Sequence, residues 1–268
     1  TFQGKDIFYE VTGQGKPIIL LNGIMMSTKS WTPFLDSFSS NNTLIRVDFL
    51  DQGQSTRLMG DYDHSIQVEV THALINHLNL ESVSIIGISY GGEVALEYAI
   101  KYPKLVDRLV LFNTAAYTTP WLRDIGRSWI KAGNHLDGEA YYYTTIPIIY
   151  SPYFYEKNKT WFDNRKKILI PLFSNKPFIE QMERLTNSSE SYNVLNELDK
   201  VEAHTLIVSS EEDYLTPLRD QELLFKKIKN SHWVKIPHAG HASMYERPLI
   251  FASLCLGFIN VKETTFNI

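Results

Sequence analysis

Apolar residues along this chain follow two alternating rhythms. Residues 6–11 (DIFYEV) read as a strand, GQGK as a turn, and 17–22 (PIILLN) as a short buried strand. Residues 29–38 (KSWTPFLDSF) carry helical spacing, and 43–49 (TLIRVDF) return to strand character. Between 65 and 78, Ile66, Val70, Ala73, Leu74 and Leu78 recur at helical intervals. The run 82–88 (SVSIIGI), rich in β-branched residues, predicts a strand, and 90–102 predicts a helix that stops before Pro103. Residues 107–113 (DRLVLFN) predict the next strand. Strands separated by helices imply a parallel sheet covered on both faces.

The alternation stops after Asn113. Residues 117–200 hold helical segments and many rings, among them Tyr141, Tyr142, Tyr143, Tyr150 and Trp161. Pro120, Pro147, Pro152 and Pro171 are expected to break this stretch into short pieces. Alternation then resumes with a strand at 204–210, a helix at 217–228, a strand at 232–237 and one final helix at 242–259 that runs through Pro248. The expected organisation is an α/β core from 1–116 and 201–268, with 117–200 as a helical lid. Such an insertion would cover the C-terminal edge of the sheet, where open α/β folds bind ligands.

Composition narrows the function classes. With 44% hydrophobic and 21% charged residues, the chain has the makings of a core rather than of a disordered segment. A net charge of −4 with interspersed signs gives no reason to expect nucleic acid. One cysteine, Cys255, leaves no intramolecular disulfide and favours a reducing, cytoplasmic setting. No apolar run approaches the ~18 residues of a membrane span, and TFQGKDIFYE lacks the features of a secretory signal. A monomer or homodimer is expected.

Candidate chemistry centres on Gly87-Ile88-Ser89-Tyr90-Gly91. The motif follows one predicted strand and opens a predicted helix, the context of a nucleophile elbow. The turn would hold Ser89 at positive φ, and side chains two residues away on either side would collide, so glycines stand there. The alternative is a serine that merely caps the helix. A serine hydroxyl needs a base, and the base an orienting acid. In the order Ser, Asp/Glu, His, the acid follows the strand after the insertion, where Asp213 is favoured over Glu211 and Glu212. The base follows the last strand, where His241 is favoured over His238. The loop after 17–22 supplies Ile24, whose N–H would join that of Tyr90 in an oxyanion hole. Met25, Tyr142, Tyr143 and Tyr150 are candidate pocket residues for a small-molecule, ester-type substrate. No cofactor or metal is called for.

Together, the elbow and the ordered Asp213 and His241 resemble the α/β-hydrolase superfamily over nearly the whole chain. NGIMMSTKSW resembles the family's oxyanion loop, with Trp31 at a frequent tryptophan position, and VDFLDQGQS resembles its next loop. The resemblance implies a cap inserted after the sixth strand of a mostly parallel sheet. It points to the small, capped, cofactor-free branch of carboxylesterases, enol-lactonases, perhydrolases and carbon–carbon bond hydrolases. A serine at 89 is unlike the relatives that use an aspartate nucleophile. The chain departs from the pattern at Asn22, where most relatives carry histidine, and at Asp51 and Gln52, which replace Gly-His. His238 stands where asparagine is frequent. A small-molecule receptor on the same fold, or acyl transfer by the same residues, are the other readings.

Overall fold

The computed structural model describes residues 1–262. Among these, seven strands form one sheet: β1 (Tyr9–Thr12), β2 (Lys16–Leu21), β3 (Asn42–Val47), β4 (Val83–Ile88), β5 (Val106–Phe112), β6 (His204–Ser210) and β7 (Ser231–Ile236). Their order is β1-β3-β2-β4-β5-β6-β7. β1 runs antiparallel to β3, and the other pairings are parallel. β4 is buried at every position. Ile85 points into one apolar cluster and Ile86 into the other, so both faces of the sheet are covered. Successive side chains alternate between faces, so a strand buried on both sides reads as an unbroken apolar run.

β4 sits centrally and is followed directly by the helix Tyr90–Lys101. That places residue 89 at the C-terminal edge of the sheet. The insertion, expected after a sixth strand, follows the fifth strand of this chain. Residues ahead of Tyr9 contribute only an isolated bridge between Phe2 and Lys5, so no further strand flanks β1 among the described residues. The final helix is also two pieces, Ser243–Glu246 and Pro248–Asn260. Arg247 is forced out of helical geometry (φ −136°, ψ 57°) because the proline ring disfavours the α region for the residue before it.

Between β5 and β6 run the helices Pro120–Gly133, Gly138–Ile149, Pro152–Lys157, Lys159–Phe173 and Lys176–Ser188. Pro120 and Pro152 start helices rather than break them. Thr119 and Ser151 cap those starts by accepting the Leu122 and Phe154 N–H groups. Pro147 and Pro171 fall in the last turns of their helices. The rings form a core of their own around Trp129, Tyr141, Tyr142, Phe162 and Phe173. Buried carboxylates are among the polar ties between the insertion and the sheet domain. Arg184 donates twice to the buried Asp51, at 3.0 and 2.7 Å. Glu246 accepts from Ser151 N–H and from Gly240 N–H, at 2.9 and 3.1 Å. No described helix is long and apolar enough to cross a membrane.

Candidate active site

Ser89 joins β4 to its helix with φ 54° and ψ −120°, a conformation strained for a residue with a Cβ. Its neighbours hold it there. Ser89 N–H donates to Phe112 O at 2.9 Å, and Ser89 O accepts from Gly92 N, Glu93 N and Thr114 Oγ1. The glycines serve close approach. A Cβ on Gly87 would lie 2.4 Å from Gly91 O, and one on Gly91 would lie 2.2 Å from Leu21 O. The helix-cap alternative does not hold, since the Ser89 side chain makes no capping bond and hydrogen-bonds to no described residue.

Asp213 and His241 meet. His241 Nδ1 lies 2.9 Å from Asp213 Oδ2, and both side chains are buried. Asp213 is itself fixed from three directions. Its Oδ1 accepts Leu215 N–H and Thr216 N–H (2.8 and 3.0 Å), and its Oδ2 accepts Thr216 Oγ1–H at 2.9 Å. The turn contacts and the imidazole contact thus fall on one carboxylate. Its rivals lie elsewhere, for Glu211 is exposed and Glu212 Oε1 faces His238 Nδ1 at 3.4 Å. His238 is exposed and stacks on Tyr153. Ser89 and His241 both line one cavity, without a hydrogen bond between them. Such contacts commonly tighten only when substrate is bound.

The cavity, about 210 Å³, is lined by Gly23, Ile24, Met25, Ser89, Tyr90 and His241 on the sheet side. Tyr90 opens its helix, so its N–H has no partner within the helix. Its ring turns inward, with the hydroxyl 2.9 Å from Ser188 Oγ. On the insertion side Tyr150 lines the cavity, as do Trp129, Leu169 and Phe173. Tyr142 and Tyr143 do not. Tyr142 is fully buried in the insertion's own core, and Tyr143, one residue around the helix, is 51% exposed beneath Lys166. Successive helical residues diverge by about 100°, so a run of three tyrosines cannot share one face.

Two groups of supporting residues escaped sequence reasoning. The departures Asn22 and Gln52 bond to each other (3.0 Å). Asn22 also accepts from Trp31 Nε1, and Gln52 Nε2 donates to Gly23 O and Ile24 O (3.0 and 3.3 Å). The residues that break the family pattern therefore brace the loop carrying Ile24. Asn113, at the end of β5 with φ 48°, donates to His241 O (2.8 Å) and Ser243 Oγ (3.1 Å) and accepts Ser210 N–H. An asparagine at positive φ just past a strand was the signal available. Asn113→Gly keeps the backbone conformation and removes the anchor. We expect kcat on an ester to fall roughly 10- to 100-fold as the His241 loop shifts, and an unchanged kcat would show that the loop holds itself.

Glu93, one turn after Ser89, also lines the cavity. Burial, with Glu97 adding a like charge, pushes its carboxyl well above the usual range. Its Oε2 lies 3.7 Å from His64 Nε2, and neither atom has a hydrogen-bond partner. Among the described residues no three His, Cys, Asp or Glu side chains gather as a metal site.

The chain belongs to the alpha/beta hydrolase fold family, whose model matches residues 16–248. An alpha/beta hydrolase enzyme from a Medee basin deep-sea metagenome library has a solved structure that matches 100% of this chain and 98% of its own, with TM-score 0.98 and 46% identity. A thermophilic esterase from Thermogutta terrifontis shares the fold, with TM-score 0.82 at 20% identity over 97% and 95% of the two chains. An uncharacterised protein of Mycobacterium bovis is 29% identical over 56% of this chain, and the match spans 42% of that protein's length.

Proposed function

We propose that the chain is a serine hydrolase that cleaves a small or medium, largely apolar carboxylic ester, lactone or thioester through an acyl-enzyme on Ser89. Residues 117–200 act as its lid. The observation that carries this reading is the His241–Asp213 bond, with His241 lining the same cavity as a serine held at positive φ.

In this mechanism Ser89 Oγ attacks the acyl carbon while His241 Nε2 takes the hydroxyl proton. Asp213, bonded to Nδ1, holds the imidazole in the tautomer whose Nε2 is free to accept and stabilises the imidazolium that forms. The carbonyl oxygen becomes an oxyanion facing the N–H groups of Ile24 and Tyr90, each worth roughly 3–4 kcal/mol of transition-state stabilisation. His241 then protonates the departing alkoxide. Water enters, gives its proton to His241 and attacks the acyl-enzyme, and collapse returns the proton to Ser89. Burial, with Glu97 adding a like charge, raises the Glu93 carboxyl well above its usual range and so disfavours a negative charge that would oppose the oxyanion.

A fluorophosphonate probe tests the nucleophile directly. It should lose fluoride and add one phosphonyl group per chain, located at Ser89 by peptide mass spectrometry, with parallel loss of esterase activity. Inactivation with the adduct on another residue would overturn the assignment.

A further inference from the structure

The helix Lys159–Phe173 presents Arg165, Leu169, Leu172 and Phe173 to the cavity. That spacing is one helical face, so a cation interrupts an otherwise apolar row. The Arg165 guanidinium lies 4.5 Å from the centre of the Trp161 ring and 5.5 Å from that of Tyr245. Tyr245 also lines the cavity, one turn beyond His241. No described carboxylate lies within ion-pair distance of Arg165, and its N–H groups make no hydrogen bond to described residues.

The other charges on the wall are accounted for. Arg123 and Arg127 share Glu190, at 3.7 and 2.7 Å, and Arg127 also faces Asp124 at 3.4 Å, so two carboxylates stand against these two cations. The remaining cavity carboxyl, Glu93, has its charged form disfavoured by burial and pairs with no arginine. No cavity-lining carboxylate among the described residues therefore pairs with Arg165. Ring contacts of this kind use none of the guanidinium N–H donors in hydrogen bonds, so the planar N–H fork is available, and that fork matches a carboxylate. An arginine present only for packing would need neither a place on the cavity wall nor this lack of a counter-ion.

We propose that Arg165 anchors a carboxylate at the far end of the acyl chain, so that the preferred substrates are half-esters of dicarboxylic acids. The inference rests on the serine hydrolase reading and adds the substrate class. The apolar row from Leu169 to Phe173 would hold the methylene chain between the two ends.

The test compares p-nitrophenyl hydrogen adipate with p-nitrophenyl hexanoate, matched in length and differing in the terminal carboxylate. The wild-type protein should favour the adipate. Arg165→Met should raise KM for the adipate about 10- to 100-fold, the worth of one charge-assisted bidentate contact, and leave hexanoate kinetics within about threefold. Arg165→Lys should recover part of the loss. No wild-type preference, or equal losses on both esters, would overturn the inference. A second measurement needs no turnover: calorimetric binding of monomethyl adipate and methyl hexanoate to the Ser89→Ala protein, with and without Arg165→Met. Adipate binding that depends on Arg165 without turnover of either ester would keep the subsite and reject the serine hydrolase reading. Turnover of hexanoate with Arg165-independent adipate binding would do the reverse.

Discussion

Ser89→Ala should lower kcat on p-nitrophenyl hexanoate by roughly 10⁴- to 10⁶-fold, with KM changed far less and the fold intact. The contrast between chemistry and stability is the informative part. Ser89 Oγ bonds to no described residue, so its removal breaks no contact that the folded chain uses. Alanine retains the Cβ and hence the same strain at φ 54°. Stability should therefore stay within roughly 0.5 kcal/mol of wild type, the range for substitutions that touch no structural feature. Steady-state kinetics beside a thermal melt make the check. A variant that melts normally and keeps full activity would remove Ser89 from the reaction.

Asp213→Asn should cost about 10⁴ in kcat, the size of effect expected when an orienting carboxylate becomes an amide. The carboxylate accepts four hydrogen bonds, two at each oxygen. An asparagine oxygen in the Oδ1 position still accepts the Leu215 and Thr216 N–H groups, so the turn survives. Its amide nitrogen then faces His241 Nδ1 as a donor. The imidazole must take the other tautomer, and Nε2 carries the proton it ought to accept. The loss should fall on kcat, with a modest drop in melting temperature from the weakened Thr216 contact. Asp213→Ala should destabilise further because the turn loses its acceptor as well. Glu212→Gln is the control, since Glu212 faces His238 outside the cavity, and it should change kcat by less than about threefold. Comparable losses from Glu212→Gln and Asp213→Asn would reassign the acid.

Much of this site was legible in the chain because its logic is local. The elbow couples a strand, a tight turn and a helix within a dozen residues, and the collisions that require Gly87 and Gly91 arise from backbone a few positions away and from the neighbouring β2. Asp213 and His241 were found through strand counting, since each follows a run whose apolar character reveals a buried strand. Pocket residues were harder to read. Tyr142 and Tyr143 are equivalent as letters, yet one packs inside the insertion and the other faces outward. Pro248 was passed over because the apolar rhythm continues across it, while the steric rule for the preceding residue acts at one position.

The chain by itself determined the strands, their order along the sequence, the residue span of the insertion and the residues proposed for chemistry. All of these rest on periodicity and on contacts between near neighbours. Only the tertiary structure decided which side chains meet. Asn113 reaches His241 across 128 positions, Gln52 reaches the carbonyls of the Ile24 loop, and Arg184 closes on Asp51. Neither the lack of a described counter-ion at Arg165 nor the upward shift of the Glu93 carboxyl is written in any short stretch. Both follow from which charges the packed fold brings near and which it keeps away, because burial and counter-ions are properties of the whole assembly of elements rather than of a residue and its neighbours in sequence.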